Sequence, residues 1–302
     1  MEFKEVVGWR RSIRFFTPWR PVERYKVQAI LDAVHRAPRP LEVDFVRCVV
    51  VYRDDLSHDE IESIRSPVNS AQIDMAPVYI LFYADLQALE RAMDGHNLKQ
   101  LIDLGLLPES FGWSHRYVDD VIIPQVYQRI LEGSAPIPAG ARAPSSSETE
   151  GATEQRSPDS SLRFDRSAGS ATSSSVMALA NTAVGIAQAH AILSTFDQGL
   201  GTHLVALSPA VMRRICKVPE HWSGGTVTML VGYHAGSRED GGQRPREPLE
   251  ETFFEGRYGV PFREDPVVVE RLKAEKMIQA PAPLPWRRDE LRAFADMFGL
   301  PK

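Results

Sequence analysis

The chain has 302 residues, 43% of them apolar and 25% charged, the composition of a soluble globular protein with material for one or two domains. Its net charge of -5, from 40 acidic and 35 basic residues, argues against a general nucleic-acid binder. Two cysteines, Cys48 and Cys216, cannot build a disulfide framework, so a reduced, cytoplasmic setting is expected. The segment Met1 to Glu5 is charged and opens no apolar run, so no signal peptide is expected.

Phe3, Val6 and Val7 share one face of a first helix ending near Gly8, and a basic cluster, Arg10-Arg11-Ser12-Ile13-Arg14, follows. Between Val22 and Arg36 the apolar residues Val27, Ile30, Leu31 and Val34 form one helical stripe, which Pro38 and Pro40 end. Val46–Tyr52 and Val78–Tyr83 are continuous apolar runs rich in β-branched residues, the pattern of strands buried on both faces. Ser57 followed by Glu60 marks a helix start between them. Helices are predicted near Leu86–Asp103 and Asp119–Glu132, the second disturbed by Pro124.

Composition shifts abruptly at 134–175, where twelve serines and a single aromatic, Phe164, leave too little apolar surface to offset backbone ordering. A disordered insert or mobile lid is expected there. The window Val176–Leu193 is strongly apolar but carries Asn181, Thr182, Gln188 and His190, which favours a buried soluble helix over a membrane span. Strands are predicted at Thr202–Leu207 and Thr226–Gly232, and weakly at Arg14–Phe16. The tail beyond 251 carries seven aromatics, Phe253 to Phe298, too many for a free tail, so it should pack on its own core or on another subunit. The pattern is that of an α+β or α/β core formed by 1–133 and 176–250.

Common catalytic signatures are missing. There is no G-x-x-x-x-G-K-[ST], no G-x-S-x-G and no H-E-x-x-H, and Gly199-Leu200-Gly201 lacks the rest of a dinucleotide fingerprint. The eight histidines show no ligand spacing, so no metal centre is expected. A protein of this size without those signatures often borrows its chemistry from an organic cofactor. Arg10, Arg11 and Arg14 with Ser12, and a second basic pair at Arg244 and Arg246, are suited to phosphate oxygens. A solvated basic face is the alternative.

Arg10-Arg11-Ser12-Ile13-Arg14, the helix ending Ala37-Pro38, the run from Ala187-Gln188 to Gly199-Leu200-Gly201-Thr202, Val231-Gly232-Tyr233 and Arg246-Glu-Pro-Leu-Glu250 together resemble the FMN-dependent nitroreductase family, in order and with similar gaps. The resemblance implies an α+β fold with a central, mostly antiparallel sheet flanked by helices. It also implies an intertwined homodimer holding FMN, with NADPH or NADH as electron donor. It places the phosphate on Arg10, Arg14, Arg244 and Arg246 beside Arg11 and Ser12, so that arginines from the two ends of the chain, Arg14 and Arg246 among them, converge. It places the flavin's pyrimidine edge at Asn69 and Gln72, and the N5/O4 edge at the backbone of Gly199, Leu200 and Gly201. Pro38 and Arg39 open the segment that in the family reaches the partner's flavin; here it departs from the family pattern, with Glu42 in place of an amide side chain.

The implied activity is hydride transfer from NAD(P)H through flavin N5 to an electron-poor small molecule such as a nitroaromatic or quinone. A same-fold dehalogenase or dehydrogenase, or a flavin-storing stress protein with little turnover, remains open. No nucleic-acid or membrane partner is expected.

Overall fold

The computed structural model describes residues 2–67, 69–133, 173–236, 243, 246–280, 296 and 299. The Ser-rich insert expected at 134–175 lies almost entirely outside them. The chain forms two compact units, one of residues 1–38, 46–84 and 184–302, the other of 39–45 and 85–183.

The first unit is built on a four-stranded sheet in the order β1-β2-β4-β3. β1 (Val46–Tyr52) pairs antiparallel with β2 (Val78–Asp85), Val49 opposite Leu81. β3 (Gly201–Ala206) pairs antiparallel with β4 (Trp222–Gly232), His203 opposite Leu230. Alternation along the strands feeds two apolar layers, because successive side chains point to opposite faces. On one face Val49, Val51, Tyr79, Leu81, Tyr83, Val205 and Leu230 pack with Val6 of α1 (Phe3–Trp9), Ile64 of α3 (His58–Ile64), Ile73 of α4 (Ser70–Met75) and Met212 of α10 (Pro209–Cys216). On the other, Cys48, Val50, Ile80, Phe82, Met229 and Val231 meet Val27 and Ile30 of α2 (Arg24–His35) and Ala191 of α9 (Ser174–Asp197). β2 is buried along its whole length, as its unbroken apolar run predicts, whereas β1 is only half-buried because it lies at the sheet edge.

Local signals act where expected. Ser57 caps α3 in a reciprocal capping box with Glu60. His190, on the Val176–Leu193 stretch, donates from Nδ1 to Ala33 O at 3.2 Å and ties α9 to α2. The weak strand predicted at Arg14–Phe16 is reduced to isolated bridges, Ser12 with Thr202 and Phe16 with His234.

In the second unit, the helix predicted over Leu86–Asp103 is two: α5 (Ala88–Arg91) and α6 (His96–Asp103), parted at Gly95 with φ 65°. After α7 (His115–Tyr117), the stretch Val118–Tyr127 widens into a π-helix that takes up Pro124, and α8 (Gln128–Leu131) follows. Loop 39–45 is held by Tyr127, whose hydroxyl donates to Leu41 O at 2.5 Å, and by Asn97, which donates to Glu42 O at 2.6 Å. These bonds offset the left-handed backbone at Leu41 and Glu42 (φ 55° and 53°). Trp113 and Tyr117 pack edge-to-face at 5.7 Å.

α9 is less covered than the sequence suggests. It is long and apolar enough to cross a membrane by length and composition (mean hydropathy 1.5 over 18 residues), yet 28% of that window is buried. Its exposed positions include Ala178, Thr182, Gly185 and Ala189, spaced four, three and four apart along one face. In the tail, Phe253, Phe254, Tyr258 and Phe262, near α11 (Leu249–Thr252), are exposed. The chain after α12 (Pro266–Ala274) returns to α1, where Lys4 pairs with Glu275 and Lys276 with Glu5. Trp286, Phe294 and Phe298 lie outside the described residues.

Candidate functional site

The basic cluster leaves α1 in extended backbone and runs beside β3, the Ile13 N–H donating to Thr202 O at 2.9 Å. This pairing sends neighbouring side chains to opposite sides: Arg10, Ser12 and Arg14 share the open side, while Arg11 and Ile13 turn inward. Arg10 is half-buried, and among the described residues no hydrogen bond or ion pair engages its side chain. Burial, with the Arg246 charge close to it, pulls its guanidinium below the ordinary value. Two cations held near one another, with no anion between them among the described residues, form a site that a dianion would relieve. The Ser12 side chain is exposed beside them.

The convergence of chain ends is therefore carried by Arg10 with Arg246. Arg14 is exposed on the same side, its guanidinium donating to Ser12 O at 3.3 Å and its charge bearing on His203. Arg11 is 8% exposed and structural, donating to Trp9 O at 2.7 Å and to Gln279 Oε1 at 2.8 Å, with its guanidinium over the Trp9 ring. Arg244 lies outside the described residues.

Two polar atoms that sequence reasoning passed over lie next to this cluster. Among the described residues, Thr202 Oγ1 and His203 Nδ1 are buried without a hydrogen-bond partner, the kind of orphan that asks for a ligand or an explanation. Their signal in the sequence is a Thr-His pair opening an otherwise apolar strand. Burial first, and Arg14 second, push the His203 imidazole down to about 4 from 6.5. The unfolded chain therefore takes up a proton on this ring that the folded chain refuses. Stability present above pH ~6.5 should fall as pH drops toward ~4, with no further contribution below that. Denaturant midpoints measured across this window should show the slope, and His203→Gln should flatten it; an unchanged slope would acquit this residue.

The expected flavin-ring residues are partly committed already. Asn69 is buried, its Oδ1 accepting from Ser66 N at 2.8 Å and its Nδ2 donating to Ala206 O at 3.1 Å, which leaves one N–H and one lone pair. Gln72 on α4 is half-buried, with no side-chain partner among the described residues. The N–H groups of Gly199 and Leu200 donate back to Phe196 O and Thr195 O, both at 3.0 Å, closing the end of α9 in a Schellman motif. Gly201 is small for Ile13, whose Cγ1 would lie 2.7 Å from an added Cβ. Pro38 is exposed at the exit of α2. Arg39 pairs with Asp44 at 3.0 Å and Glu42 at 3.1 Å, which hold it above its ordinary value and neutralise the unusual Glu42 carboxylate. Burial pushes the Cys48 thiol up to about 12 and raises Cys216, so neither is a ready nucleophile.

No family model and no curated protein matches the sequence. Solved structures do. A nitroreductase family protein from Streptococcus pneumoniae TIGR4 is 15% identical, with TM-score 0.54, covering 84% of this chain and 100% of its own. A protein of Exiguobacterium sibiricum, described as a nitroreductase in complex with FMN, is 14% identical with TM-score 0.56, covering 84% of this chain and 96% of its own. The chain has the nitroreductase fold. A third nitroreductase-fold structure, from Staphylococcus epidermidis and described as an NAD(P)H:FMN oxidoreductase, is 15% identical with TM-score 0.56, covering 83% of this chain and 94% of its own. Within this fold, the sheet and its flanking helices explain why Ser12 and Thr202 lie side by side although 190 positions separate them in sequence.

Proposed function

We propose that this chain is an FMN-dependent oxidoreductase that draws on NADH or NADPH and reduces an electron-poor small molecule of the nitroaromatic or quinone class. The observation that carries the reading is the pair Arg10 and Arg246, brought near one another from distant parts of the chain with no neutralising anion among the described residues. A phosphate monoester of about two negative charges suits them, with Ser12, Arg14 and Arg244 as further donors. The fold likeness supports it, since one neighbour is described with FMN and another as acting on FMN with NAD(P)H. FMN, when bound, would accept and donate the hydride, which explains the lack of a nucleophile or metal motif. The chain's own part is to clamp the phosphate and to offer Asn69 and Gln72 to the ring.

The working form would be a cytoplasmic homodimer. The uncovered apolar surface of α9, with small residues at heptad-like spacing, suits close packing against a second copy. The exposed aromatics at 253–262 offer a second surface for the same copy.

One observation favours a flavin-storing protein instead: the N–H groups of Gly199 and Leu200, which the resemblance aims at the ring's redox edge, are consumed in the helix end. The purified protein separates these readings. We expect a yellow protein that takes up FMN and whose colour bleaches anaerobically on adding NADH or NADPH. Binding without bleaching would favour storage, and a colourless protein that takes up no FMN would defeat both.

A further inference from the structure

The segment carrying Arg246 and the segment carrying Arg10 are tied together by a third piece of chain. Gln243 donates from Nε2 to Gly8 O at 3.1 Å and to Met277 O at 2.7 Å, while its Oε1 accepts from the Gln279 N–H at 2.9 Å. Gln279 in turn accepts from Arg11 at 2.8 Å and donates to Lys276 O at 2.9 Å. The contact is close at the backbone as well, since a Cβ on Gly8 would lie 1.8 Å from Lys276 O. Gly8 stands two residues before Arg10, and Gln243 three residues before Arg246.

We propose that Gln243 and Gln279 are positioning residues: they use the carboxy-terminal strap at 275–279 to hold the two arginine-bearing segments next to one another, so that Arg10 and Arg246 can share one phosphate. The inference rests on the flavin reading. The physical need is plain. Arg10 and Arg246 repel one another while no anion lies between them, so the separation must be fixed by neutral bonds that do not depend on the ligand. A glutamine suits the task because one side chain can donate twice and accept at the same time. Arg11, although part of the basic cluster, serves here as the strap's anchor on the amino-terminal side. The carboxy-terminal extension is thereby part of the binding apparatus although it supplies no ligand itself.

The test uses the full chain, with FMN affinity measured by fluorescence titration over a series of salt concentrations for the parent, Gln243→Leu, Gln279→Leu and Gln279→Glu. Both leucine variants should bind FMN about 10-fold more weakly, the upper weight of a net hydrogen bond, and with a shallower salt dependence because a splayed clamp neutralises the phosphate less. Gln279→Glu should fall between the parent and Gln279→Leu, since its carboxylate still accepts from Arg11 but cannot donate to Lys276 O. Parental affinity in both leucine variants overturns the proposal. So does a weakening that keeps the parent's salt dependence, which would mark a merely structural role. A parent that binds no FMN at all would overturn the flavin reading, and this inference with it.

Discussion

Replacing Arg10 with alanine is expected to weaken FMN binding by about 10- to 100-fold, the weight of one charge-assisted hydrogen bond to a dianion. Riboflavin, which lacks the phosphate, should be unaffected. Arg10 is half-buried, with no partner among the described residues, and burial and Arg246 depress its guanidinium, so its charge is poorly compensated until an anion arrives. For the same reason the FMN-free variant should be no less stable than the parent, because removing one of two facing cations relieves repulsion. Arg246→Ala should behave alike, and the double variant should lose less than the sum, since each arginine binds the phosphate against the other's field. Arg14→Ala should matter less, because that side chain is exposed and already donates to Ser12 O. Titration of FMN and riboflavin in parallel reads all of this. Equal loss of both flavins would mean that Arg10 supports the pocket and not the phosphate.

Gly225→Ala is expected to cost about 3 kcal/mol of stability. Gly225 sits in β4 at φ 77°, a left-handed backbone that costs an alanine roughly 1–2 kcal/mol. Its added Cβ would lie 2.4 Å from Tyr83 Cε1 and 2.7 Å from Cζ. Tyr83 is 1% exposed and packed against Trp222 with centroids 6.1 Å apart, so its ring has little room to recede, and overpacking adds about 1–3 kcal/mol. The check is a urea unfolding curve with the slope unchanged and the midpoint lowered. Tyr83→Phe serves as the companion, because it removes a buried hydroxyl that has no partner and should be neutral or mildly stabilising in the parent. A loss below about 1 kcal/mol for Gly225→Ala would show that the ring moves freely and that the strand is not bound by this contact.

What the chain determined by itself is what neighbouring residues decide between them. The stripe Val27, Ile30, Leu31 and Val34 makes α2, the Ser57–Glu60 box starts α3, and the apolar runs become β1 and β2, because periodicity and capping are properties of a few consecutive residues. Breaks were legible in kind but not in outcome: Gly95 divided one expected helix into two, while Pro124 was absorbed by a widened turn. The ordered motifs also carried the fold, which the structural neighbours share at 14–15% identity.

Only the tertiary structure decided which side chains are free to act. Composition alone cannot tell Arg10 from Arg11 or Arg14; the path of the extended segment beside β3 leaves the first without a partner among the described residues, locks the second onto Gln279 and leaves the third exposed with a bond to Ser12 O. Asn69 and the Gly199–Leu200 amides are right in type, yet much of their hydrogen-bonding capacity is taken by Ser66, Ala206 and the end of α9. β1 is half-buried because it falls at the sheet edge, and α9 is apolar although the described residues bury only 28% of its most apolar window. Each of these outcomes joins groups tens to hundreds of positions apart. Such pairings are set by how the sheet and helices close on one another, a long-range event that a reading of consecutive residues does not contain.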